Sequence, residues 1–208
     1  VALYPLSLEL GGRPCVVVGG GTVAEGKVKG LLTADAVVTV VSPSLTGTLA
    51  EAVRAGRIAH RRRVYQDGDL AGFALAFVAT GDVAINAAVA AEGRRRGVWV
   101  NAADDPAHCD VILPSVLRRG TLTVAVSTGG ASPALARAVR EEIERHLGED
   151  YAVLADVASA VRRTLRAERR PADAAAWRDA LADARFRRLV ARGDRAGARR
   201  RLRARLSA

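Results

Sequence analysis

The 208 residues carry 32 Lys+Arg against 22 Asp+Glu, a formal net charge of +10; half are apolar and only 4% aromatic. A chain of this length can bury a full core, and one so poor in aromatics must build it from Val, Leu and Ala, which suits an α/β protein. No run approaches the roughly 20 apolar residues of a membrane span, no charged and apolar leader opens the chain, and two cysteines are too few for a disulfide scaffold, so a cytoplasmic location is expected.

The chain contains no Met, so its numbering is expected to begin past the initiator. Tyr4 to Leu10 alternates like a short strand and stops at Gly11-Gly12. Cys15-Val16-Val17-Val18 then reads as a strand covered on both faces, with Cys15 an inert core thiol, and Val23 to about Thr33 has helical spacing. Between them, Gly19-x-Gly21-x-x-Ala24 has the spacing of a dinucleotide fingerprint: Gly19 for the tight turn, Gly21 for close approach of a pyrophosphate, Ala24 for close helix packing. Glycine punctuation for packing alone is the competing reading. Val37–Val41 is the next strand, closing a strand–helix–strand unit of the length expected for a mononucleotide-binding half. Its end, Val41-Ser42-Pro43-Ser44, lacks the acid that usually holds a ribose, so hydroxyls or backbone must do so, and no Arg follows to grip a 2′-phosphate, which favours NAD over NADP.

Leu49 to Ala55 reads as a helix and Ile58 to Tyr65 as a strand. Within the latter, Arg61-Arg62-Arg63 point alternately to two faces, and a solvated edge is expected rather than an anion site. Phe73 to Ala79 is another buried strand ended by Thr80-Gly81-Asp82, Ile85 to Arg95 a helix, and Val98 to Ala102 a further strand. This βαβα rhythm predicts a doubly wound parallel sheet of Rossmann type over residues 1–113. Asn101 to Asp110 is a polar loop opening over the same crevice. His108 and Cys109 beside Asp110 invite a metal reading, but adjacent residues seldom ligate one ion, and no resident metal site is expected. His60 and His146 read as ordinary surface histidines.

Leu122 to Ser127 is a lone strand, and Ser132-Pro133 starts a helix ending near Gly148, with Ser132 as N-cap. A single strand and helix cannot make a core, so residues 114–148 are expected to form an interface with the first domain or with a second subunit. Residues 149–208 read as a basic helical domain of three short helices broken at Pro171 and Gly193. Residues 1–150 hold 16 basic and 16 acidic residues, so the whole charge excess lies beyond them.

Several stretches, weak singly, are specific in their order and spacing. They are Tyr4-Pro5-Leu6, Val18-Gly19-Gly20-Gly21-Thr22-Val23-Ala24 with Lys27, Val40-Val41-Ser42-Pro43, Ala79-Thr80, Asn101 with Asp104, Pro114-Ser115, and Val126 to Pro133 running into Ala136-Arg137. Through them nearly the whole chain resembles the precorrin-2 dehydrogenase/sirohydrochlorin ferrochelatase family, found alone or at the N-terminus of siroheme synthase. The resemblance implies NAD-dependent oxidation of precorrin-2 to sirohydrochlorin, in some members Fe²⁺ insertion as well, and a homodimer with a nucleotide domain, a dimerisation segment and a helical part. It makes Gly19, Gly21, Thr22, Val23, Pro43, Ser44, Ala79, Thr80 and Asn101 the candidate cofactor contacts. Asp104 matches the aspartate given general-base duty, able to accept the proton lost as hydride leaves, or pyrrole protons as iron enters; Asp105 is a substitute or a turn acid before Pro106. A carboxylate-rich tetrapyrrole needs donors, and Ser127, Thr128, Ser132, Arg137 and part of the C-terminal arginine set are the candidates.

Three positions depart from the family pattern: Asp35 where glycine is usual, Gly81 where Asp or Asn is frequent, and Thr128 where Ser is common. A rival reading is an NAD(H)-sensing regulator whose basic tail binds nucleic acid, though the tail shows no helix-turn-helix and few aromatics. A nonspecific short dehydrogenase lacks support, since no Tyr-x-x-x-Lys pair occurs. On the leading reading no nucleic acid and no membrane is engaged.

Overall fold

Five short strands order the first half of the chain: β1 (Pro14–Val18), β2 (Val37–Val41), β3 (Ala59–Arg61), β4 (Leu75–Val78) and β5 (Trp99–Ala102). In this computed structural model, which describes residues 3–102, 105 and 108–207, they pair in parallel in the order β3-β2-β1-β4-β5. Alternation sends Cys15 and Val17 of β1 to one face, against Ala24, Val28 and Leu31 of α1 (Thr22–Thr33) and Leu49 and Ala52 of α2 (Gly47–Arg54). Val16 and Val18 go to the other face, against Val89 of α3 (Val83–Arg96) and Leu70. A central strand covered on both sides has no polar face to show, hence the unbroken apolar run. Each fully buried Val or Leu contributes about 1.5–3 kcal/mol over its exposed state.

The strand order reverses between β1 and β4. That switch point opens a crevice beyond the C-terminal ends of the two strands, and the Gly19–Gly21 turn and Ala79-Thr80 both lie there.

Some elements differ from the sequence reading. Tyr4 to Leu10 is not a strand: it pairs with neither edge of the sheet, β3 or β5, and Tyr4 and Leu6 are exposed. The strand expected over Ile58 to Tyr65 stops at Arg61, because the chain then folds back around Asp69. This carboxylate, 4% exposed, accepts from Arg61 at 2.8 Å, Arg63 at 2.6 Å and the Gln66 amide at 2.9 Å. Arg61 and Arg63 therefore converge on an internal acid instead of forming a solvated edge, while Arg62 faces solvent. The same segment is tied to α3 by the fully buried Glu92, which accepts from the Tyr65 hydroxyl, the Leu70 amide and Arg96. Helix α3 begins two residues earlier than its apolar spacing suggests, because Asp82 caps it by accepting from the amides of Ala84 and Ile85.

The chain divides into two compact units, Val1–Leu113 and Pro114–Ala208. In the second, the lone strand of the sequence reading is a hairpin: β6 (Ser115–Arg119) pairs antiparallel with β7 (Leu122–Val126) across Gly120-Thr121, with Gly120 at φ 57°. A two-residue loop led by a left-handed glycine is a hairpin signal that the sequence does contain. Helix α4 (Pro133–His146) packs on both strands, and Arg119 fastens its C-terminal end by donating to Leu147 O at 3.0 Å and pairing with Glu144.

Beyond it lie four helices where three short ones were expected: α5 (Asp150–Ala167), α6 (Ala174–Ala182), α7 (Ala184–Ala191) and α8 (Arg195–Leu206). The extra break falls at Asp183, which ends α6 and caps α7 by accepting from the Phe186 amide at 2.7 Å. Arg201 donates to the same carboxylate at 2.6 and 3.0 Å and holds its pKa far below the usual range. These helices bury Val157, Val161, Leu165, Phe186, Val190 and Leu202 in a core of their own, so they form a small bundle.

Candidate active site

The glycine turn after β1 is fixed by what surrounds it. Gly19 has φ 119°, and a Cβ there would lie 2.4 Å from Ala79 O, so no other residue fits. The turn is stitched to the neighbouring strand ends: Gly19 N donates to Val41 O at 2.9 Å, Thr46 N to Gly20 O at 3.0 Å, and Ala79 N to Val18 O at 2.8 Å. Gly21, by contrast, faces open space, with nothing within 4 Å of the position a Cβ would take. It is also the N-cap of α1, and no side chain caps that helix. Helices α2, α3, α4, α6, α7 and α8 are all capped by a Thr, Asp or Ser side chain. The first amides of α1, at Thr22 and Val23, thus stand at the positive end of a helix dipole at the switch point, suited to a phosphate.

Around this turn the other cofactor candidates fall into two groups. Pro43 and Ser44 are exposed on the loop after β2. The Ser42 hydroxyl is already spent on Ser44 O at 2.7 Å, which leaves the Ser44 hydroxyl as the free one. His60, half-buried, donates from Nε2 to Ser42 O at 2.9 Å, so it shapes this loop and is no ordinary surface histidine. Ala79 and Thr80 sit half-buried after β4, and the Thr80 hydroxyl accepts from Asp82 N at 3.1 Å. Asn101, at the end of β5, is buried with its amide engaged at both ends: Oδ1 accepts from Lys27 Nζ at 3.0 Å and Nδ2 donates to Val111 O at 2.7 Å. Lys27 lies 5.4 Å from the centroid of the Phe77 ring. It braces α1 against the end of β5, a contact that no spacing in the sequence announces.

That loop carries the chemistry-bearing residues. Asp104 lies outside the described residues. On the far side of the loop the chain returns along β5: Asp110 N donates to Val100 O at 2.8 Å, and its carboxylate accepts from Val100 N at 3.0 Å. Cys109 packs at the strand end, its Sγ 3.2 Å from Ala102 N and 3.1 Å from Ala102 O, and burial pushes its thiol pKa up. His108 turns elsewhere: its Nδ1 is 2.7 Å from Asp105 Oδ2. Cys109 also lies 3.4 Å from Asp105 O, and among the described residues no three His, Cys, Asp or Glu side chains gather as metal ligands.

The substrate candidates belong to the second unit. Thr128 and Ser132 are committed to the turn before α4: the Thr128 hydroxyl donates to Ser132 O and accepts from Ser132 N, both at 3.0 Å, while Ser132 Oγ accepts from Leu135 N at 3.2 Å. The Ser127 hydroxyl accepts from Gly129 N at 3.1 Å on an exposed turn. Arg137 is exposed on α4.

An open parallel sheet wound on both faces, with an uncapped helix start at its switch point, defines a dinucleotide-binding protein of Rossmann type. Residues 6–115 match the family described as putative NAD(P)-binding, and residues 119–146 match the central region of sirohaem biosynthesis proteins. The siroheme synthases of Methylococcus capsulatus and Methylobacillus flagellatus are 44% and 43% identical over 162 residues, 78% of this chain. Those residues are 34% and 35% of the two relatives, so the chain spans about a third of their length. A solved structure of SirC, a precorrin-2 dehydrogenase, superposes with a TM-score of 0.75 over 99% of each chain at 26% identity. The chain belongs to the precorrin-2 dehydrogenase/sirohydrochlorin ferrochelatase family.

Proposed function

We propose that the protein is an NAD-dependent dehydrogenase that oxidises precorrin-2 to sirohydrochlorin. The observation that carries the reading is the open, uncapped start of α1 at the switch point, in a chain whose family acts on this tetrapyrrole. The residues fit the cofactor. Amides of Gly21, Thr22 and Val23 would hold the pyrophosphate, and the Ser44 hydroxyl with the backbone at Pro43 would take the adenosine ribose. The segment Val41-Ser42-Pro43-Ser44 itself carries neither an acid nor an Arg to choose otherwise. Bound there, NAD supplies the two-electron acceptor. For its part the chain offers Asp104 as the proton acceptor, and Ser127, Arg137 and C-terminal arginines are donors suited in chemistry to the substrate's carboxylates.

The enzyme works in the cytoplasm as a homodimer. Support for pairing lies in the β6–β7 hairpin and α4, where only Leu117 and Ala136 are buried, both hairpin edges are open, and Leu135 is 55% exposed. Incubation with precorrin-2 and NAD⁺ should give stoichiometric NADH and the sirohydrochlorin spectrum. Authentic substrate that yields no NADH refutes the reading. Replacing Asp104 by Ala should abolish most turnover while NAD still binds, and full turnover in that variant removes Asp104 from the reaction.

A further inference from the structure

The loop after β2 is held on one side by β3 and on the other by the glycine turn. Register pairs Val40 with His60 and Val41 with Arg61, so the end of β3 lies beside Ser42, the first residue of the loop. Ser42 is 6% exposed, and each of its polar groups has a partner. Its amide donates to Arg61 O at 3.2 Å, its carbonyl accepts from His60 Nε2 at 2.9 Å, and its hydroxyl donates to Ser44 O at 2.7 Å. On the other side the loop presses on Gly20. A Cβ there would collide with Ser44 O and stand 2.8 Å from Ser42 Oγ and 3.0 Å from Leu45 Cδ2, and Thr46 N donates to Gly20 O at 3.0 Å. The dinucleotide fingerprint leaves this middle position open to any residue, whereas here the loop itself demands glycine. His60 thus reaches the turn through Ser42 and Ser44.

Pro43 and Ser44 carry the groups suited to the adenosine ribose, and Gly21, Thr22 and Val23 the amides suited to the pyrophosphate. These two sets follow different strands, β2 and β1, and their spacing must match one ligand fragment. A site already held in its bound shape loses least entropy when the ligand arrives. We propose that His60 is a positioning residue for the cofactor: by holding Ser42 O it fixes the ribose-binding loop against Gly20 and so sets the affinity for the adenosine half of NAD. This rests on the reading that places the ribose at Ser44. At a half-buried position on an edge strand an aliphatic side chain would serve packing equally well, but only a donor serves Ser42 O.

Calorimetric binding of NAD⁺ to the whole chain tests the assignment and needs no tetrapyrrole. His60→Leu, which keeps similar bulk but has no donor, should weaken NAD⁺ about three- to tenfold, the effect of one neutral hydrogen bond, and weaken adenosine monophosphate by the same factor. His60→Gln, which keeps an N–H of similar reach, should restore most of the affinity. In turnover His60→Leu should raise KM for NAD⁺ with kcat unchanged, a split that loss of folded protein does not produce. Wild-type affinity in His60→Leu, a loss that adenosine monophosphate does not share, or a loss that His60→Gln shares in full overturns the assignment. Ser44→Ala checks the reading beneath it: normal NAD⁺ affinity in that variant moves the ribose away from Ser44 and overturns both. A weakened Ser44→Ala beside an unaffected His60→Leu overturns the role of His60 alone.

Discussion

Gly19 and Gly21 stand two residues apart in one motif, and the structure assigns them opposite vulnerabilities. In Gly19→Ala the new Cβ would meet Ala79 O at 2.4 Å and Ala79 C at 2.7 Å, backbone atoms of the strand end paired with β1, and the residue would sit at φ 119°. Left-handed strain of this kind costs roughly 1–3 kcal/mol and overpacking a further 1–3, so a loss of about 2–6 kcal/mol is expected. In Gly21→Ala the Cβ enters open space at φ −87°, and stability should change by about 1 kcal/mol or less. That methyl group would, however, stand where a pyrophosphate approaches, and NAD affinity should fall at least tenfold, about 1.4 kcal/mol. Trp99 and Trp177 are the two tryptophans, one in each compact unit, so Trp177→Phe confines the fluorescence signal to the nucleotide-binding half. Urea titration of both variants in that background, with NAD binding by calorimetry, separates the two effects. A Gly19→Ala protein as stable as its parent, or a Gly21→Ala protein that binds NAD normally, would refute the reasoning.

Asp35 sits at φ 54°, a backbone conformation that glycine adopts freely, so Asp35→Gly should raise stability by up to about 1 kcal/mol and Asp35→Val lower it; equal midpoints for all three would show that the turn carries no strain. The Asp69 carboxyl is held below its usual range, first by the Arg63 hydrogen bond; that of Glu92 lies below it too, because hydrogen bonds from Tyr65, Arg96 and two amides outweigh its desolvation. Their unfolded forms bind protons first, so this stability is complete above the unfolded carboxylate values near pH 4, is lost as pH falls through the folded ones, and should shrink in Asp69→Asn when melting is followed between pH 6 and 3. Burial raises the thiol pKa of both Cys15 and Cys109, so iodoacetamide at pH 7.5 should label neither until the protein unfolds; rapid labelling of Cys109 would contradict its packing at Ala102. Leu135→Glu should convert a dimer to monomer in sedimentation, and an unchanged mass would move the interface away from α4.

Much of the nucleotide-binding half is legible in the chain because its signals are local. β-branched runs mark strands buried on both faces, glycine spacing marks the turn, and Ser132-Pro133 marks a helix start, each set by sterics within a few residues. The β6–β7 hairpin was equally local, in Gly120-Thr121, but its first strand has no clean alternation to set it apart. What the sequence could not decide are contacts between residues far apart along the chain. Arg61 and Arg63 look like surface charge until Asp69 is folded beneath them; Asp183 breaks a helix without glycine or proline because Arg201, from α8, holds its carboxylate. Lys27 reaches Asn101 across 74 positions, and Cys109 packs its thiol against Ala102 at the end of β5. Sequence alone determines where a dinucleotide can sit, since that depends on backbone shape. Only the tertiary structure decides which side chains face it, since that depends on which charges and hydrogen-bonding groups the fold has already paired.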